Sequence, residues 1–129
     1  MIINDLVRFF RKECSHEFDF IDEAIRDDKK EKSLTIYESS SQLSQDFIFG
    51  TQQVTQRALQ IQIVYTNSKS QAERKAWDFY NKYIMSNEKF DIDGITFQMT
   101  PRQNRAPIYL GTLANGCHKY GIDIILFSK

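Results

Sequence analysis

The sequence predicts an α+β fold, a single domain over residues 1–129 in which a mainly antiparallel four-stranded sheet is packed by two helices. Three observations predict it. Two segments carry apolar residues at the helical period, four others read as strands, and the chain is long enough to enclose one core without disulfides or a metal. The elements follow the order α-β-β-α-β-β, with no internal repeat beyond that halving. Ten Phe and six Tyr in 129 residues argue against any long disordered stretch.

The first helix covers residues 2–14. Ile3, Leu6, Val7, Phe10 and Cys14 fall on one face, with Asp5, Arg8, Arg11 and Lys12 largely elsewhere. Residues 16–32 place Phe18, Phe20, Ile21 and Ile25 among many charges, as an irregular connection ending in a solvated run, Asp27-Asp28-Lys29-Lys30-Glu31-Lys32. The first strand, 33–38, alternates Leu34 and Ile36 with Thr35 and Tyr37. The second, 58–66, sets Leu59, Ile61, Ile63 and Tyr65 against Gln60 and Gln62, one face buried and one wetter, which suits an antiparallel sheet. Between them, 39–57 reads as a long polar loop rich in Ser and Gln, interrupted by Phe47-Ile48-Phe49-Gly50.

Ser70-Gln71-Ala72-Glu73 has the form of a capping box, so the second helix is expected to begin there and run to about Met85. Ala72, Ala76, Phe79, Tyr80 and Tyr83 line one side, and Trp77 and Ile84 widen that stripe. Trp77 is expected to help pack this helix on the sheet, since large aromatics on an amphipathic helix usually belong to the core. Asp93-Gly94 between apolar positions signals a tight hairpin turn, after which Ile95, Phe97 and Met99 alternate as the third strand. A second long connection, 101–121, holds two prolines and three glycines. The last strand, 122–127, is apolar apart from Asp123, as in a strand covered on both faces.

Seventeen basic residues balance seventeen acidic ones, which leaves no overall positive field to hold nucleic acid or an anionic membrane. Cys14 and Cys117 lie far apart and read as reduced thiols of a cytosolic setting, with no disulfide. The first six residues lack the basic region and apolar core of a signal peptide, and no apolar run approaches membrane-spanning length, so neither standard export nor membrane embedding is expected.

Catalytic chemistry finds little support. Cys14-x-His16 and Cys117-His118 are too closely spaced to wrap a tetrahedral metal, and Cys14 fits the apolar helix face. Asp19, Asp22, Glu23, Asp27 and Asp28 show no calcium-loop spacing and read as solvated surface. The five glycines form no phosphate loop. Arg102, Arg105 and Lys119 with Tyr109 and Tyr120 make a mild basic-aromatic cluster within 102–120. The chain is therefore expected to be no enzyme and to use no catalytic residue, cofactor or metal. A small enzyme using the acidic cluster, or a nucleic-acid-binding adaptor using 102–120, is the alternative.

Three phrases carry a family resemblance. The strand Ser33-Leu34-Thr35-Ile36-Tyr37-Glu38-Ser39, the helix start Ser70-Gln71-Ala72-Glu73-Arg74-Lys75-Ala76, and Ala106-Pro107-Ile108-Tyr109-Leu110-Gly111, followed by Tyr120-Gly121 before a final strand, resemble the small minor capsid or tail-terminator proteins of long-tailed phages and prophages. The resemblance spans nearly the whole chain. It implies a structural subunit of the virion tail or neck, made in the bacterial cytoplasm, that forms a homo-hexameric ring. Such a ring caps the major tail tube protein and offers a surface to the head-connector or neck protein, without membrane or specific nucleic acid. The family has no catalytic residues to carry over.

The expected assembly interface is the 39–57 loop. Long loops inside small domains are uncommon and often functional, and apolar side chains amid Ser and Gln need a surface to dock on. Its candidates are Gln45, Phe47, Ile48, Phe49, Gln52, Gln53 and Arg57.

Overall fold

A computed structural model describes residues 2–23, 32–38, 45–49 and 52–128, with 45–49 and 52–55 described at the backbone alone. The elements run α1 (Ile3–Cys14), β1 (Phe20–Glu23), β2 (Lys32–Glu38), β3 (Gln45–Phe49), β4 (Gln52–Tyr65), α2 (Lys69–Tyr80) and a π-helical turn (Asn81–Met85). After the turn come β5 (Lys89–Ile92), β6 (Ile95–Pro101), β7 (Ile108–Thr112) and β8 (His118–Ser128). The class is mixed α+β, but the sheet has eight strands among the described residues, which overturns both the four-stranded sheet and the order α-β-β-α-β-β. The four additional strands, β1, β3, β5 and β7, are only four or five residues long. Strands this short take their conformation from a neighbouring ladder and carry little alternation of their own.

The sheet is ordered β1-β2-β4-β8-β6-β5, with β3 also pairing β4 and β7 also pairing β8. Every pair is antiparallel except β1 with β2. The two long strands, β4 and β8, form the middle. Leu59, Ile61 and Ile63 of β4 and Ile122, Ile124 and Leu126 of β8 are fully buried on one face, beneath Leu6, Val7 and Phe10 of α1 and Phe79 and Tyr80 of α2. The expected alternation of β4 is thus present. Its other face bears Gln60, whose Nε2 donates to Asp123 Oδ1 of β8 at 3.1 Å. Both terminal strands of the sheet reach α1: Arg11 Nε donates to Ile21 O of β1 at 2.9 Å, and the Phe9 ring lies 5.3 Å from Phe90 of β5. The sheet therefore curls around the first helix.

The two halves repeat more closely than the sequence shows. Each reads helix and then four strands. Six residues, 39–44, separate β2 from β3, while their partners on β4, Leu59 and Gln56, have two residues between them. Six residues, 102–107, likewise separate β6 from β7, and their partners on β8, Ile124 and Gly121, also have two between them. A local two-fold through the Leu59–Ile124 pair thus relates β2, β3 and β4 to β6, β7 and β8.

Local chemistry explains the helix and turn boundaries. The α2 cap is Ser68, whose hydroxyl accepts from the Gln71 amide at 3.4 Å, so the helix starts earlier than the Ser70 capping box predicts. Ala72 and Ala76 sit over Tyr120, and their small side chains let α2 approach β8. At the β5–β6 turn Asp93 (φ 49°) and Gly94 (φ 80°) both adopt left-handed backbone between the paired Ile92 and Ile95, the expected two-residue hairpin. Arg8 of α1 pairs with both Asp5 and Asp93, tying that turn to the helix.

Trp77 corrects the sequence expectation. It is 38% exposed and touches Tyr80 edge-on at 5.8 Å, while Phe79 and Tyr80 are buried. Alanines 72 and 76 with Phe79 and Tyr80 already fill the inward stripe, which leaves position 77 outside it. Trp77→Ala is expected to cost about 1 kcal/mol or less in urea denaturation. A loss of about 3 kcal/mol would put the ring in the core after all.

Candidate assembly interface

The segment expected as a long loop contains a hairpin. Gln45, Phe47, Ile48 and Phe49 lie on β3, and Gln52 and Gln53 begin β4, with Ile48 opposite Gln53 and Phe49 opposite Gln52. The ladder between β4 and β8 starts only at Thr55 opposite Ser128. Gln52, Gln53 and Val54 are therefore held by β3 alone among the described residues, and the hairpin reaches beyond the central ladder. The outer edge of β3 has no paired strand among the described residues, which leaves a row of backbone donors and acceptors directed outward. Three consecutive apolar residues, Phe47-Ile48-Phe49, occupy that edge strand.

Arg57 belongs elsewhere. It pairs with Leu126 within the central ladder, is half-buried, and its Nη2 donates to Glu38 Oε1 at 3.1 Å. It joins the end of β2 to β4. The structure thus brings six of the seven candidates onto one hairpin and assigns the seventh to the body of the sheet.

The Cys–His neighbours are separated by burial. Cys14 is buried with its Sγ 3.4 Å from the Tyr83 hydroxyl, while His16 is exposed. Burial pushes the Cys14 thiol up to about 11, against a smaller opposing effect of the Tyr83 hydroxyl, so the sulfur is a thiol at neutral pH. Cys117 is also buried, and His118 Nδ1 instead meets the Tyr109 hydroxyl at 2.9 Å. In the acidic group Asp22 pairs with Arg11 at 3.5 Å, and Asp27 and Asp28 lie outside the described residues. Among the described residues no three His, Cys, Asp or Glu side chains are placed to hold a metal ion.

Sequence reasoning placed Tyr109 in the basic-aromatic cluster but missed Leu110 and the strand β7 that carries both. Tyr109 and Leu110 are 38% and 39% exposed on a strand that pairs only with β8 among the described residues. Tyr109 packs at 5.3 Å on Tyr120, beneath Lys69 Nζ at 4.5 Å from its ring centre. The signal was the Ile108-Tyr109-Leu110 run inside what reads as a connection. The basic-aromatic residues nearby are partly engaged in the fold: the Arg102 amide donates to Asp123 O at 3.1 Å. Among the described residues no helix is long and apolar enough to cross a membrane. Comparison with known proteins matches the chain to no family model and to no curated protein.

Proposed function

We propose that the chain is a virion structural protein that acts by binding other proteins: a subunit of a homo-hexameric ring that caps the phage tail tube and joins it to the head connector. The observation that carries this reading is the β3–β4 hairpin, which among the described residues extends past the central ladder and has an unpaired edge on an apolar-rich strand. A free edge of this composition is an aggregation hazard in a protein that works alone, and a docking element in one that works assembled. The balanced charge is compatible with close packing of like copies, because it removes most self-repulsion. Tail-tube protein, head-connector protein and further copies of this chain are the partners on this reading, at the tail or neck of a virion.

Electron microscopy of the protein mixed with purified tail tubes tests it. Rings seated on one end of each tube are the expected result. Tubes whose ends stay bare at saturating protein would exclude the capping role.

A further inference from the structure

The margins of the sheet have complementary steps. A row across the ladder through Ile63 passes Ile21, Leu34, Ile63, Tyr120 and Tyr109, which belong to β1, β2, β4, β8 and β7. A row through Gln56 passes Gln45, Gln56, Phe127, Gln98 and Lys89, which belong to β3, β4, β8, β6 and β5. Both rows are five strands wide, but they are offset. On the β4 side the first row projects two strands and the second only one; on the β8 side the first projects one and the second two.

We infer that copies of this chain join head to tail through these stepped margins, with β5 of one copy entering the notch beside β3 of the next and β7 meeting β1. This rests on the ring reading above and names the surfaces that would build the ring. Each step of one margin is filled by the projecting strand of the other at the same level. Lys89 of β5 lies in the row of Gln45 at the start of β3, and Tyr109 of β7 lies in the row of Ile21 in β1. Strand directions are compatible too. Following the pairings across the sheet, β3 and β5 run the same way and would form a parallel ladder, while β1 and β7 run oppositely and would form an antiparallel one. Ile21 O of β1 already accepts from Arg11, so the β3–β5 contact carries most of the junction. The exposed Tyr109 and Leu110 lie at the other contact.

A second copy is the occupant favoured because both margins belong to one chain and match in level as well as width. An unrelated partner strand would have no reason to meet both steps. The two margins differ, so the contact is heterologous, and the matched levels let successive copies meet without slipping along the strands. That is the condition for a closed ring in place of a climbing filament.

Disulfide trapping tests the assignment. Gln45→Cys and Lys89→Cys, which share a row, are made singly and together in the otherwise native chain, where Cys14 and Cys117 are buried. Under mild oxidation at the highest soluble concentration, the double variant is expected to give a ladder of linked dimers, trimers and higher species. Each single variant should remain monomeric on a non-reducing gel. Phe47→Cys with Asp91→Cys, two residues further along both strands, gives a second pair, and circular dichroism with a cooperative melt confirms that each variant is folded. Folded double variants without a ladder would overturn the inference, as would dimers from a single variant, which indicate a symmetric edge contact. A ladder from protein that leaves tail tubes bare removes the capping role alone; capped tubes without a ladder remove the edge assignment alone.

Discussion

Phe10→Ala lowers the stability of the folded chain by about 3–5 kcal/mol, the cost of deleting a large ring from a closed site that cannot fully collapse. Phe10 is fully buried, and its ring centre lies 5.3 Å from Phe9, 5.1 Å from Phe79 and 5.3 Å from Tyr83. These rings belong to both helices and to the π-helical turn, so the substitution loosens several elements at once. Edge-on and tilted aromatic pairs each contribute about 0.5–1.5 kcal/mol beyond the area they bury. Domains of this size hold about 5–15 kcal/mol in total, so the variant sits near the limit of folding at ambient temperature. Urea denaturation measures the effect, with Phe10→Leu as the milder comparison. A loss below about 1 kcal/mol for the alanine variant would mean that the aromatic cluster is not what holds α1 to the rest.

The parts of this fold that were legible in the sequence are those whose local pattern and tertiary role agree. Leu59, Ile61 and Ile63 alternate because one face of β4 is buried, and Asp93-Gly94 turns because both positions need left-handed backbone. The missed strands lack such agreement. Phe20–Glu23 is partly apolar and partly acidic, and its strand form follows from lying parallel to β2. Gln45–Phe49 sits in Ser and Gln composition and follows the first residues of β4. Ile108–Thr112 includes Gly111 with φ 121° and an irregular register between Tyr109 and Gly111, which hides the two-residue period. Composition did single out Phe47-Ile48-Phe49 as unusual, but it could not separate an apolar loop from an apolar edge strand. The Arg57–Glu38 contact is illegible in the sequence for a related reason: Glu38 is nineteen residues away and meets Arg57 only through the β2–β4 ladder.

Deleting residues 42–53 and bridging the gap with Gly-Ser is expected to leave a cooperatively folded protein that no longer forms rings or caps tails. The body should survive because the cut removes β3 and only the first two residues of β4. The central ladder begins at Thr55 opposite Ser128, and the ladder to β2 spans Leu59 to Tyr65, both on the retained side. Phe10, Phe79, Ile61, Ile124 and the other buried residues described in the core are likewise retained. Assembly should fail because the removed strand is the edge proposed to meet a neighbour. A five-residue strand edge supplies roughly four backbone hydrogen bonds, each contributing about 1 kcal/mol net. Losing them weakens association by on the order of a thousandfold, before any contribution of Phe47, Ile48 or Phe49 is counted. Thermal melts followed by circular dichroism and electron microscopy of mixtures with tail tubes separate the outcomes. A shortened chain that unfolds would make the hairpin part of the core. One that melts like the native protein and still caps tails would move the interface elsewhere on the sheet.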